Sequence, residues 1–297
     1  MTSSLPPEIQ PSSVTGLQAL QEAGIIKPNL LQTESHATGL IVPDQENNDP
    51  RSSWSSIAKF DAEGNVVSLD FGSCRLRKTG LPVDLAQFTH LRVVNLGGTD
   101  LPMKDTLEVV QSLSDTLESL YLGGNYLCDT GAEQIGSWLS SSATKLRKLD
   151  MRYTEMAGPG CRALCEGLTQ QGKVTHLYLE GNNLGDEGAQ ALAEMLKQEG
   201  CSLQELFLGA NKIGPEGAAA LASILTTNKT ISKIYLEGNN IGPVGADAFT
   251  KALKECDGNT GLKHLFVDNN EIGKEGSKRL AAALNSSTAI GDSLLEG

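Results

Sequence analysis

The chain has 297 residues, a formal charge of −12 and only 4% aromatic residues. The acidic balance excludes nucleic-acid binding and attraction to anionic membranes, both of which need a basic surface. Scarce rings and 32 glycines imply a core built from many small, similar pieces.

Residues 1–50 are rich in Pro, Ser, Gln and Asn and show no sustained hydrophobic period, so they are expected to be mostly disordered. Within them, Val14–Ile26 has the pattern of a transient helix. The opening MTSSLPPEIQPSS has neither a basic start nor an apolar run, so no secretory signal is expected. The implied location is cytoplasmic, with a nuclear one left open. No apolar run reaches membrane-spanning length. Residues 51–65 are expected to cap the array that follows, with Trp54 covering the first coil.

From residue 66 the chain repeats itself. "KIYLEGNNIGPVGADAF" at 233–249 is matched by "HLYLEGNNLGDEGAQAL" at 176–192, "ELFLGANKIGPEGAAAL" at 205–221 and "HLFVDNNEIGKEGSKRL" at 264–280. Weaker copies lie at 119–135 and 148–164. Eight frames open at Val66, Leu91, Leu117, Leu146, Val174, Leu203, Ile231 and Leu262, at intervals of 25 to 31 residues. Such a period predicts a solenoid. Apolar residues two apart, such as Ile234 and Leu236, share one side of a strand and point inward. The amide of Asn239 then suits the buried backbone of a turn. Its equivalents are Cys74, Thr99, Asn125, Thr154, Asn182, Asn211 and Asn270. Glycines allow the bend, Pro215 and Pro243 suit a first helical turn, and alanine- and leucine-rich stretches predict helices. One coil cannot bury its inner face alone, so coils must stack. The expected fold class is an α/β solenoid over 66–284, with a curved parallel sheet on the concave side and helices on the convex side. In the tail, 285–297, Ile290, Leu294 and Leu295 are placed to fold over the last coil; otherwise the strand opened by Leu262 is an open edge.

The frame LxxLxLxxNxIGxxG, strong from Leu117 to Leu284, resembles the leucine-rich repeat of the ribonuclease-inhibitor-like class. That class includes the repeat domains of NOD-like receptors and the Ran GTPase-activating protein. The stretch 54–102, "WSSIAKFDAEGNVVSLDFGSCRLRKTGLPVDLAQFTHLRVVNLGGTDLP", looks like a plant-type opening, although the cap cysteines of that type are missing.

No catalytic constellation is found. There are four histidines and no GxSxG, P-loop, HExxH or dinucleotide fingerprint. Glycine clusters such as Gly185–Gly188 recur at one frame position, so they read as corners. Of the six cysteines, Cys161 and Cys165 share a helix face, but the spacing lacks a second pair for zinc. The expectation is therefore no metal, no cofactor and reduced, buried thiols.

The variable strand positions carry the signal. The residue between the two inward-pointing ones reads Asp70, Asn95, Tyr121, Asp150, Tyr178, Phe207, Tyr235 and Phe266. Five of the eight are aromatic, in a chain with 13 aromatics in 297 residues, where chance places fewer than one. Strand alternation turns these residues outward. At about 4.8 Å per strand they would form a stripe roughly 24 Å long. The row two residues later includes Arg152, Glu180, Glu237 and Asp268. An aromatic stripe edged by acids points to a protein or peptide partner with basic residues. The alternative is that the rings stack for stability alone. The expected function is thus a non-enzymatic scaffold, its candidate contacts being Tyr121, Asp150, Arg152, Tyr178, Glu180, Phe207, Tyr235, Glu237, Phe266 and Asp268, on a monomer. The resemblance keeps two alternatives open: a GTPase-activating regulator similar to the Ran regulator, and an innate-immune-type recognition module.

Overall fold

Every frame becomes a three- to five-residue strand, and most strands lead into a helix that returns the chain to the next strand. The structure, a computed structural model, describes residues 11–22, 58–78, 80–81, 83–256 and 260–286. β1 (Ala58–Phe60) pairs antiparallel with β2 (Val66–Asp70). Seven strands then add in sequence order, each parallel to the last: β3 (Val93–Asn95), β4 (Ser119–Tyr121), β5 (Lys148–Asp150), β6 (His176–Tyr178), β7 (Glu205–Phe207), β8 (Lys233–Tyr235) and β9 (His264–Phe266). All eight expected frames are therefore strands of one sheet. The antiparallel β1 is an addition to the purely parallel sheet expected.

The connecting helices are α2 (Met103–Ser112), α3 (Cys128–Ser141), α4 (Gly158–Gln171), α5 (Gly185–Leu196), α6 (Pro215–Ser223), α7 (Gly242–Glu255) and α8 (Gly273–Ser286). Between β2 and β3 a short 3-10 turn, Leu85–Gln87, stands in for a helix. The inward strand residues, such as Leu177, Leu179, Leu206, Leu208, Ile234 and Leu236, are completely buried. Each contributes about 1.5–3 kcal/mol by leaving water. The helices close this layer from the other side with Leu164, Leu192, Leu221 and Phe249, also fully buried.

The asparagine row holds the corners. Asn239 Nδ2 donates to the carbonyls of Leu208 (2.9 Å) and Leu236 (2.8 Å), and its Oδ1 accepts from the amides of Asn211 (2.9 Å) and Ile213 (3.0 Å). One side chain thus satisfies buried backbone groups of two coils, as the sequence predicts. Thr99 and Thr154 replace it with a hydroxyl, and each also donates to the next coil's asparagine.

The corners alternate in a way the sequence does not spell. After Thr99, Thr154 and Asn211 the next residue is left-handed: Asp100, Glu155 and Lys212. After Asn125, Asn182 and Asn239 the left-handed residue comes three later: Cys128, Gly185 and Gly242. The last coil has both, at Glu271 and Gly273. The two kinds interlock. Asp129, at the start of α3, accepts from the amides of Ala157 (2.7 Å) and Gly160 (3.1 Å) at the start of α4. Asp186, at the start of α5, does the same for Gly214 (2.7 Å) and Gly217 (2.8 Å) at the start of α6. A helix start leaves its first amides unpaired, so these borrowed carboxylates cap the next coil.

Before the array, Pro11–Glu22 forms α1, overlapping the helix expected over Val14–Ile26. Leu17 and Leu20, three apart on one face, are fully buried. A β-carbon on Gly16 would run into the Phe88 ring, so α1 lies tightly on the turn at Leu85–Gln87. Over these residues the chain is a packed helix, and the rest of 1–50 lies outside the described residues. Trp54, Ile290, Leu294 and Leu295 lie outside the described residues.

Candidate functional site

Ladder register decides whether the aromatic residues meet. Asn95, Tyr121, Asp150, Tyr178, Phe207, Tyr235 and Phe266 are direct partners from strand to strand, with no slip. All five aromatic residues are half-buried, facing away from the core layer. From β6 to β9 the rings stack. Centroids lie 4.5 Å apart for Tyr178–Phe207, 4.2 Å for Phe207–Tyr235 and 4.6 Å for Tyr235–Phe266, with planes within 19° of parallel. Such contacts contribute about 0.5–1.5 kcal/mol each beyond area burial. Stabilising ring stacking is therefore present, on rings that are still open to solvent. Tyr121 is separated from this stack by β5.

Asp150 is where expectation and structure part. Expected on the open face as a contact, it is 4% exposed. Its carboxylate accepts from Arg152 at the backbone amide (2.9 Å), Nε (3.0 Å) and a terminal nitrogen (2.7 Å). The side chain two residues on folds back over it, so Asp150 serves to aim Arg152. The guanidinium then sits 5.5 Å from the Tyr178 ring centre and covers that end of the stack. Burial, with lesser help from Tyr121 and Glu205, pushes the Tyr178 phenol up to about 12.

The two flanks of the stack differ. On one side, Lys233 Nζ lies 2.9 Å from Glu205 Oε1, so these two charges answer each other, and His176 Nε2 lies 4.0 Å from Glu205 Oε2. Burial, Lys148 and Lys233 lower the His176 pKa despite Glu205. His264 packs its ring toward Phe266 at 6.1 Å. On the other side stand Glu180, Glu237 and Asp268, and no ion pair reaches them among the described residues. A β-carbon on Gly209 would lie 3.6 Å from Glu180 Cγ and 4.0 Å from Glu237 Oε2, so the two acids converge over that glycine. Glu180 Oε2 is buried without a hydrogen-bond partner. Burial first, then Asp150 and Glu237, raises the Glu180 carboxyl above its ordinary value. Burial and Asp268 do the same to Glu237.

This has a measurable consequence. A carboxyl raised by folding contributes stability below its ordinary pKa and loses it as pH rises through the folded value. Glu180→Gln removes that loss. The variant is expected to melt above the parent at neutral pH and to show no such gain below about pH 4, which a series of thermal melts checks.

Two exposed aromatic residues lie outside the set that the sequence singles out. Tyr126 is 73% exposed and Tyr153 64%, both at corners beyond the strand ends. A signal for one of them is present in the sequence: Tyr153 holds a position given to glycine in four other coils. All six cysteines are free, with Cys161, Cys165 and Cys256 buried. Among the described residues no group of His, Cys, Asp and Glu could hold a metal ion, and no helix is long and apolar enough to cross a membrane.

Comparison with known proteins agrees with the repeat. The family described as Leucine Rich repeat matches residues 142–165, 173–193, 201–222 and 227–249. Pig (Sus scrofa) ribonuclease inhibitor is 32% identical over 224 residues, 75% of this chain and 48% of that protein. Human NACHT, LRR and PYD domains-containing protein 3 is 31% identical over 220 residues, 73% of this chain and 21% of that protein. The chain thus spans about half the length of the first and a fifth of the second. Among solved structures, the tropomodulin C-terminal domain of Caenorhabditis elegans aligns over 62% of this chain and 92% of that one at 14% identity, with a TM-score of 0.36 too low to extend the comparison. Eight coils in one register, their asparagine corners and these repeat matches agree: the chain is a leucine-rich-repeat protein of the ribonuclease-inhibitor-like class.

Proposed function

We propose that the chain is a non-enzymatic scaffold that holds a protein or peptide bearing Lys or Arg across the ring stack and the acid row beside it. A protein-interaction module is what its repeat relatives have in common with it. One observation carries the finer reading. Four stacked, half-exposed rings run beside Glu180, Glu237 and Asp268, none of which has an ion pair among the described residues; Arg152 acts on Glu180 at longer range, which leaves Glu237 and Asp268 the less answered acids. Exposed apolar surface of this kind favours a contact, and unanswered acids select a basic one. The name ribonuclease inhibitor makes a basic ribonuclease the first partner to assay.

Because the rings also stabilise the sheet, removing them would confuse binding with folding. The better test keeps them and reverses the acids. Glu237→Lys with Asp268→Lys is expected to weaken a captured basic partner at least tenfold, about 1.4 kcal/mol, with the salt dependence of binding reduced and the melting midpoint nearly unchanged. Titration calorimetry at two salt concentrations reads it. Equal affinity in parent and variant would end the proposal.

A further inference from the structure

We propose that Tyr126 and Tyr153, at the rim where strands turn into helices, form a second contact that takes a cationic side chain of a protein partner on exposed ring faces, with Glu155 as counter-charge. It shares with the proposed function only the premise of a basic protein partner.

Tyr153 is the anomaly that leads there. In all eight coils the residue before the corner position is left-handed: Ser73, Gly98, Gly124, Tyr153, Gly181, Ala210, Gly238 and Asn269. Seven are glycine or small or polar residues that tolerate this. Tyr153, at φ 52°, is bulky and strained there. The fold gains no core contact in return, since the side chain is largely exposed. The next coil also makes room for it: a β-carbon on Gly181 would run into the Tyr153 ring. Strain kept at an exposed site points to a use outside the fold.

The neighbouring coil adds Tyr126, more exposed still. The Leu127 and Cys128 amides donate to the Thr154 carbonyl (3.3 and 2.9 Å), so the corner of Tyr126 lies against the corner that carries Tyr153 and Glu155; the Cys128 thiol, and less strongly the Glu155 carboxylate, raise the Tyr126 phenol above its ordinary value. Glu155 is itself exposed and is touched by Asn183 Nδ2 at 3.4 Å.

Ring faces set the rim apart from the inner rungs of the stripe. A cation is drawn to the face of a ring, not to its edge. In the stripe the faces of Phe207 and Tyr235 are covered by their neighbours, and Arg152 covers the free end at Tyr178. That same Arg152, held by Asp150 over Tyr178, shows the combination of ring, guanidinium and carboxylate within this chain. At the rim, the rings and the acid are present and the guanidinium is left for a partner to supply.

The full chain with carbon-13-labelled tyrosine is titrated with tri-arginine amide and, separately, with neutral tri-citrulline amide. The ring signals of Tyr126 and Tyr153 are expected to move with tri-arginine only. Tyr153→Asn is expected to weaken that response about three- to fivefold, while its melting midpoint holds or rises because asparagine accepts the left-handed corner. An equal response to the citrulline peptide overturns the proposal, as does no response at all. Shifts confined to Tyr121, Tyr178 and Tyr235 also overturn it, and leave the stripe reading standing.

Discussion

Asn182→Ala is expected to cost the protein roughly 3–5 kcal/mol, far more than a typical single substitution. The side chain is 3% exposed and fully engaged. Its Nδ2 donates to the carbonyls of Met151 (2.8 Å) and Leu179 (2.9 Å). Its Oδ1 accepts from the Thr154 amide (3.1 Å), the Thr154 hydroxyl (3.2 Å) and the Met156 amide (3.1 Å). Alanine leaves the Thr154 and Met156 amides buried without partners, each at about 1–3 kcal/mol before any relaxation, while the two carbonyls lose one donor each and keep another, the Thr154 hydroxyl on Met151 and Asn211 Nδ2 on Leu179. Asn183, its neighbour, is only half-buried and makes one long contact with Glu155, so Asn183→Ala serves as the mild control. Thermal unfolding should show a fall of about 10 °C for the first and little for the second. A loss under about 1 kcal/mol for Asn182→Ala would mean that the corner is held by something other than its amide.

The second large effect lies between helices. Gly167→Val is expected to destabilise by about 3 kcal/mol or more. Gly167 in α4 faces Gly136 in α3, and a β-carbon on Gly167 would collide with the Gly136 carbonyl oxygen. A β-carbon on Gly136 would in turn lie 2.6 Å from the Ala163 carbonyl oxygen. The two backbones touch, and each glycine is worth its cost of about 0.5–1 kcal/mol in helix propensity only because of that approach. Gly167→Ala is the sharper test of sign. Propensity alone predicts a gain of about 1 kcal/mol, whereas the collision predicts a loss. Urea unfolding of both variants separates these outcomes, and a stabilised Gly167→Ala would disprove the close contact. Forcing α3 from α4 would also alter the spacing of β4 and β5, next to the Arg152 end of the ring stack.

The solenoid is legible because two periods overlap in the sequence. A period of two inside each frame gives the inward leucines, and a period of 25 to 31 residues gives the coils. Together they fix register, which is why the alignment of Tyr178, Phe207, Tyr235 and Phe266 follows from residue spacing alone. What stays hidden depends on side-chain direction or distant packing. Asp150 occupies an outward slot, yet Arg152 reaches back and buries it. Leu17 and Leu20 are buried in a helix that docks at Gly16 on Gln87 and Phe88, some seventy residues away, and no local pattern reports that docking. The corners of Asn211–Gly214 and Asn239–Gly242 share one spelling, Asn-x-Ile-Gly, but turn at different residues, so the local spelling does not say which.

That last feature makes the array count in twos. Leu117 and Val174 lie 57 residues apart, as do Val174 and Ile231, and each step restores the same kind of corner. Deleting a single coil would bring two like corners side by side and leave Asp186 or Asp129 facing a helix start of the wrong kind. Deleting a matched pair would splice like onto like. Lengthening or shortening of such a chain, by duplication or by design, is therefore favoured in units of two coils, with the parallel sheet growing or shrinking by two strands at a time.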